Sequence, residues 1–502
     1  MAKKNTLRMD GGRLTLADLA AIADREVNLA LTADARKAVR RARKVVDGFI
    51  DRDEVAYGIT TGFGRFCRVR ISPDQARELQ RNLLRSHGAG VGEPFAPEVA
   101  RLCVALRANT LAQGHSGIGL PTLELLLAIY NEDIVPWIPS QGSVGACGDL
   151  APLAHLAQVL IGEGRAFVDG AWISGGEALE RRGLRPVELQ AKEGLSLING
   201  VQASAALLAV ALIRARRLLA AANFAAAMSL DALLGSLMAF DARVQRVRPH
   251  AGQEVVAQRV RSLLAGSAIH RSHRDCGKVQ DAYSLRCVPQ VHGAVHDGLA
   301  YVEQVLVREC NSATDNPLVF PEEGEIVSGG NFHGAPVSYV ADLLSILITD
   351  LASISERRIE RLVNPDLSGL PAFLSRSEGL ESGYMMAQVT AAALTSENKV
   401  LAHPASVDSI PTSAGTEDHV SMSTHAGRKA LQVVGNAERV LAIELLVGAD
   451  ALELRRPLRS GAKLERGLAQ FRNEIPARVG DRDLNGEIEG AARFIRVGGL
   501  EP

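Results

Sequence analysis

The sequence predicts a mainly α-helical protein, a long-helix bundle with a smaller N-terminal region. Three observations carry this expectation. Apolar residues recur at helical spacing over several long stretches. Aromatic residues make up only 4% of the chain and no regular series of alternating strands is visible, which argues against a mainly antiparallel β fold. Islands rich in Gly, Pro and Asn interrupt the helical stretches, and loops held by a rigid scaffold are where catalytic groups concentrate. The N-terminal region is placed at residues 1–115 and the helical bundle at 116–502. Within the bundle, 203–240 is Ala- and Leu-rich, with Arg214, Arg216 and Arg217 clustered and Asp231 beyond. The stretch 336–363 repeats Val340, Leu343, Leu344, Ile346, Leu347, Leu351 and Ile354, and closes in a charged turn, Glu356-Arg357-Arg358. A third long helix is expected over 430–454. The islands fall at 57–64, 86–94, 136–148, 328–336 and 409–417.

With 502 residues the chain can bury a large core and form more than one structural region. A formal net charge of -1 gives no footprint for nucleic acid or an anionic membrane surface. Basic residues near Met1 are not followed by an apolar run, so no secretory signal is expected. Six cysteines without a CxxC pair fit a reducing, cytoplasmic setting. The apolar, charge-free run 194–213 contains Ser196, Asn199, Gly200, Gln202 and Ser204, which points to a core helix entered from a polar turn, not to a membrane span.

The chemistry centres on Gly142-Ser143-Val144-Gly145-Ala146-Cys147-Gly148-Asp149-Leu150. Small residues surround one reactive side chain. The Gly148 nitrogen can reach the Ala146 carbonyl because glycine tolerates the strained backbone required. Loss of water and of the Cys147 leaving group would leave an electrophilic five-membered ring with an exocyclic methylene.

This segment resembles the signature of the aromatic amino acid ammonia-lyases, with Cys147 where the family usually carries Ser. The likeness runs from about residue 57 to 422. Tyr57-Gly58-Ile59-Thr60-Thr61-Gly62-Phe63-Gly64 looks like the family's catalytic tyrosine loop, and Leu197-Ile198-Asn199-Gly200 its Asn-Gly turn. Gln280-Asp281-Ala282-Tyr283-Ser284-Leu285-Arg286-Cys287, Ser328-Gly329-Gly330-Asn331-Phe332-His333-Gly334 and Ser409 to Ala414 followed by Glu417 to Met422 also match. The resemblance implies a helical bundle of the ammonia-lyase/fumarase type. It implies a homotetramer with sites shared among subunits, and a 4-methylideneimidazole-5-one ring (MIO) formed autocatalytically from Ala146-Cys147-Gly148. It assigns proton abstraction to Tyr57, and assigns Asn199, Gln280, Tyr283 and Phe332 to steadying the ring and the bound amine. Arg286 fits a carboxylate anchor, because its planar fork binds both oxygens. No metal is expected: His270, His273, Cys276 and Cys287 lack the spacing of a closed zinc site and lie in a stretch that resembles a metal-free one.

Substrate choice rests on the pair Ser86-His87, which is similar to that of the histidine-specific subclass. An imidazole needs partners at its nitrogens. His87 and Glu417 are the expected ones, with Met385 packing on the ring, so the expected reaction is L-histidine to trans-urocanate. The rivals are the same chemistry on tyrosine or phenylalanine, an aminomutase, and an uncyclised, weak paralogue. Thr60, Ala335 and Gly415-Thr416 depart from the pattern of histidine enzymes. Cys147 has three readings: ring precursor losing sulfide, inert uncyclised thiol, or a nucleophile in its own right.

Overall fold

The computed structural model describes residues 4–52, 54–66 and 68–500. It bears out the helical expectation: 59% of the chain is helix, in twenty α-helices among the described residues. Two compact units are each assembled from three chain segments: residues 1–210, 303–342 and 404–428 form the first, and 211–302, 343–403 and 429–502 the second. The boundary expected near residue 115 falls inside the first segment of the first unit.

All the strands among the described residues belong to the first unit. Asn5–Met9 pairs in parallel with Val27–Leu31, and Val91–Pro94 runs antiparallel to Pro139–Gln141. Val135–Pro136, Arg165–Val168 and Ala171–Ser174 form a three-stranded antiparallel sheet, and Leu318–Phe320 closes a hairpin with Glu325–Val327. Its core is helical. Pro97–Ala112 is buried at every residue from Leu102 onward, and Glu193–Ile198 is buried at every residue. Burying polar groups this deep requires partners. The Lys192 ammonium meets Asp315 at 3.1 Å, both fully buried, and Ser196 Oγ donates to the Ser116 carbonyl at 2.7 Å.

In the second unit the expected charged turn at 356–358 is instead mid-helix, because Ala335–Val363 continues past it. Arg358 turns inward and pairs with Glu444 at 2.5 Å, both with no exposed side-chain surface. Ser229 and Ser355 add hydroxyl donors to the same carboxylate at 2.7 and 2.6 Å. Removing one partner of such a pair leaves a buried charge uncompensated. The helix expected over 203–240 is Gln202–Ala232; it stops where Leu234 takes a left-handed φ of 53° and the Gly235 N–H returns to the Leu230 carbonyl at 2.7 Å. The third long helix, Ser423–Glu453, starts earlier than expected, after Met422 at φ 55°. Ala335–Val363 is long and apolar enough to cross a membrane by composition, but 61% of its most apolar window is buried in the protein, as in a core helix.

His292 is fully buried, with Nδ1 2.8 Å from Asn223 Oδ1. Burial, and then the Arg358 charge, hold it well below the usual imidazole range. The folded protein keeps this ring neutral while the unfolded chain protonates it below pH about 6.5. Stability contributed by His292 is therefore present above that pH and lost as pH falls, by about 1.4 kcal/mol per pH unit. His292→Gln should lower the melting temperature at pH 8 yet flatten its decline between pH 6.5 and 5. An unchanged slope would show that His292 does not drive this dependence.

Candidate active site

One cavity of about 760 Å3 lies wholly within the first unit and is lined by Tyr57, Ser86, His87, Cys147, Asn199 and Glu417. Six expected residues, drawn from five separate islands or turns, thus converge. Phe63, Phe66, Val69, Leu79 and Leu83 supply an apolar wall for a flat ring.

Tyr57 sits on a loop stitched by two hydroxyls. Thr60 Oγ1 donates to the Glu54 carbonyl at 2.8 Å and accepts from the Ala56 N–H at 2.9 Å, while Thr61 Oγ1 accepts from the Gly58 N–H at 3.1 Å. Thr60, a departure in sequence, is therefore a structural tie. Gly58 has φ 67°, and a side chain there would collide with Leu195 and Phe63. The loop folds back so that the Gly64 N–H donates to the Tyr57 phenol oxygen at 3.0 Å.

The 142–149 loop is held from both ends. Asp149 is fully buried and accepts from Ser204 N at 2.7 Å, Ser204 Oγ at 2.8 Å, Thr424 Oγ1 at 2.5 Å and Ser143 Oγ at 3.1 Å. Burial raises its pKa, and the four donors oppose that rise. Its own N–H donates to the Gly200 carbonyl at 2.7 Å, and Gly148 bridges to Gly200. Gly148 has φ 72°, and a Cβ there would lie far inside contact distance of the Gly200 carbonyl. Only glycine fits. Helix Leu150–Leu160 begins immediately after the loop and Gln202–Ala232 just after the Asn199-Gly200 turn, so two positive helix ends adjoin Cys147. Asn199 Oδ1 is buried without a hydrogen-bond partner, a polar atom aimed at a donor still to come. The glycine-only cradle and this orphaned acceptor both fit a ring built from 146–148.

The Cys147 thiol donates to Glu417 Oε1 at 2.9 Å. Burial, then this carboxylate, push the thiol up to about 12, so it stays protonated near neutrality. A protonated thiol is a poor nucleophile, which argues against the third reading of Cys147. Burial would raise Glu417, but hydrogen bonds from Cys147, Thr412 and Ser413 outweigh it and hold the carboxyl below its usual range. Thr412 Oγ1 reaches its second oxygen at 2.5 Å. Glu417 is thereby a charged acceptor pinned in a turn. His87 ends helix Pro73–His87, and burial lowers its pKa. Its Nδ1 lies 3.0 Å from the Leu83 carbonyl, an acceptor only, so Nδ1 carries the proton and Nε2 is left as an acceptor.

The other expected residues lie apart from this cavity's lining. Phe332 is half-buried in the first unit, in the turn before Ala335–Val363. Gln280, Tyr283, Arg286 and Met385 belong to the second unit. Tyr283 is 70% exposed, and the Arg286 guanidinium sits 4.5 Å from its ring centroid. The short helix Tyr283–Arg286 is tied through the Ser284 carbonyl to Arg358 at 3.4 Å. Met385 opens helix Met385–Leu401 and is 39% exposed. His270, His273 and Cys276 share a second-unit cavity with Gln280 and Arg286, but His273 uses both ring nitrogens on the Ile269 and Gly235 carbonyls, at 2.8 and 3.2 Å. Among the described residues no group of three or more His, Cys, Asp or Glu is placed to hold a metal.

Sequence reasoning missed Arg107, Thr412 and the four-donor clamp on Asp149. Nothing local marks Arg107; Thr412 lies inside the matched 409–414 island and Asp149 two places after Cys147, both visible signals without an assigned role.

A sequence profile of aromatic amino acid lyases matches residues 14–473. A histidine ammonia-lyase of Anaeromyxobacter sp. (strain K) is 55% identical over 505 residues, covering 99% of each chain. The crystal structure of histidine ammonia-lyase from Trypanosoma cruzi superposes with a TM-score of 0.92 at 45% identity, covering 99% of this chain and 94% of that one. A tyrosine aminomutase from Streptomyces globisporus superposes with a TM-score of 0.93 at 36% identity, covering 99% and 97%.

Proposed function

This chain belongs to the aromatic amino acid lyase family, and from that premise we propose that it is a carbon–nitrogen lyase converting L-histidine to trans-urocanate and ammonia. One observation carries the choice of histidine: the cavity that holds Tyr57 and Cys147 also presents the His87 Nε2 and Glu417 carboxylate acceptors. Those are partners for imidazole N–H groups, which phenyl or phenol rings cannot use equally. The relative at 55% identity bears the matching name. Purified protein given L-histidine, L-tyrosine and L-phenylalanine separately should produce urocanate absorbance with histidine alone. Coumarate, cinnamate or a β-amino acid as the main product would establish the lyase or aminomutase rivals.

We assign the MIO precursor to Ala146-Cys147-Gly148. The Gly148 nitrogen bonds to the Ala146 carbonyl carbon, and that oxygen leaves as water with the Gly148 and Cys147 amide protons. Cys147 then gives up its Cα proton and its sulfur, which departs as hydrogen sulfide; no oxidant is required. Such a ring supplies an electrophile that draws electron density from the substrate amine, so that ammonia can leave. Tyr57 takes the β-proton on its phenolate oxygen, to which the Gly64 N–H donates. Asn199 holds the amine side of the site, while His87 and Glu417 orient the imidazole, with Ser86 beside His87 at 3.0 Å from Nδ1. Arg286 binds the substrate carboxylate, and Gln280, Tyr283, Phe332 and Met385 complete the enclosure. His87→Leu should raise the KM for histidine roughly 10- to 100-fold, as loss of one hydrogen bond in a buried site predicts. An unchanged KM would remove His87 from the substrate contacts.

The protein works as a homotetramer in which neighbouring copies lend Gln280, Tyr283, Arg286 and Met385 to each cavity. Tyr57→Phe and Arg286→Met proteins, each inactive alone, should regain part of the activity when co-expressed. No recovery would mean that each site is built within one copy. A reducing cytoplasm suits the five described cysteines, all free thiols.

A further inference from the structure

Arg107 lies in helix Pro97–Ala112 with no exposed surface and does not itself line the cavity. Its guanidinium is directed at the Asn199-Gly200 turn. Nη1 donates to the Asn199 carbonyl and to Gln202 Oε1, both at 2.8 Å, and Nη2 donates to the Ser196 carbonyl. Asp315, equally buried, lies 4.0 Å away and is shared with the Lys192 ammonium at 3.1 Å.

What lies beyond the turn gives this anchor a second consequence. Gly200 has φ 154°, and the volume a Cβ would fill there is taken by Arg107 Nη1, Gln202 Oε1 and the Thr314 carbonyl. On its other side the Gly200 carbonyl fills the space of a Gly148 side chain and accepts from Asp149 N at 2.7 Å. Arg107, Gly200 and Gly148 therefore form three successive layers in contact, with no side chain between them. We propose that Arg107 is a positioning residue for ring formation: by fixing the Gly200 backbone it sets where the Gly148 nitrogen lies relative to the Ala146 carbonyl. This rests on the assignment of 146–148 as the ring precursor.

A planar guanidinium can donate in one plane to the Ser196, Asn199 and Gln202 acceptors at once; an ammonium cannot reproduce that fork. Arg107→Lys keeps the charge beside Asp315 and loses the fork. It should therefore fold and yet process poorly. The measurement is the processed fraction of soluble, folded protein: loss of one water plus one hydrogen sulfide by intact mass, and one denatured thiol fewer than the six in the sequence. In Arg107→Lys this fraction should fall at least several-fold at unchanged helical content. A purely structural Arg107 would lower the melting temperature and leave the processed fraction of folded protein at the parent level, and that result overturns the proposal. Should Arg107→Lys not fold, Gln202→Leu removes a single acceptor of the same guanidinium. A slower appearance of the processed mass after synthesis then supports the proposal, and the parent rate overturns it. An unmodified parent protein would overturn the ring assignment and this inference with it; a processed parent beside a fully processed Arg107→Lys overturns the inference alone.

Discussion

Cys147→Ala should lower kcat by at least about 1,000-fold, the scale of losing a principal electrostatic element of a site, and leave the protein at its unprocessed mass. Alanine has no β leaving group, so the second loss in ring formation cannot occur even if the Gly148 nitrogen still attacks. Cys147→Ser should restore both processing and activity, with two waters lost in place of one water and one hydrogen sulfide. The contrast decides between the two remaining readings of Cys147. An inert thiol in a weak paralogue would make Cys147→Ala silent and give Cys147→Ser a gain over the parent. A ring precursor makes alanine severe and serine near neutral. The site favours the second pattern, because the features around Cys147 serve the backbone and not the thiol. Gly148 sits against Gly200 where no side chain fits, and Asp149 is clamped by four donors. The thiol itself is held protonated, pushed up to about 12 by burial and Glu417. A neutral leaving group fits departure as hydrogen sulfide and not attack as thiolate.

The cavity's lining residues were legible in the sequence because the islands that carry them resemble motifs of the lyase family. Tyr57, His87, Cys147, Asn199 and Glu417 come from five separate islands or turns, and it was the resemblance, not local composition, that singled each out. What was not legible is what lies one layer back. Arg107 occupies a largely apolar helix, and its partners are two backbone carbonyls, which no residue type announces, and the side chain of Gln202, distant in sequence. Arg358 read as part of a charged turn because it follows Glu356 and Arg357, yet its partner Glu444 is distant in sequence and equally buried. Helix ends were also misplaced where left-handed residues other than glycine, Leu234 and Met422, set the boundary. Such residues are held there by packing, which a single sequence does not display.

Tyr57→Phe is expected to be as damaging to turnover as Cys147→Ala and to leave processing intact. Removing one hydroxyl deletes the base for the β-proton, for which a loss in kcat of about 100- to 10,000-fold is expected. The phenol oxygen takes its hydrogen bond from Gly64 N at 3.0 Å, and the loop is stitched separately by Thr60 and Thr61. Intact mass should therefore match the processed parent while urocanate formation collapses. Histidine binding, followed by competition or calorimetry, should persist, because the His87 and Glu417 acceptors do not touch the phenol. If Tyr57→Phe instead retains most of the parent kcat, another group takes the proton, and Glu417 is the first to test, since it is a carboxylate held ionised in the same cavity. In that case Glu417→Gln should abolish turnover, whereas a Glu417 that only orients the imidazole should affect KM more than kcat. The pair of variants thus separates the proton acceptor from the imidazole partner, two roles that the geometry places on different loops of the same cavity.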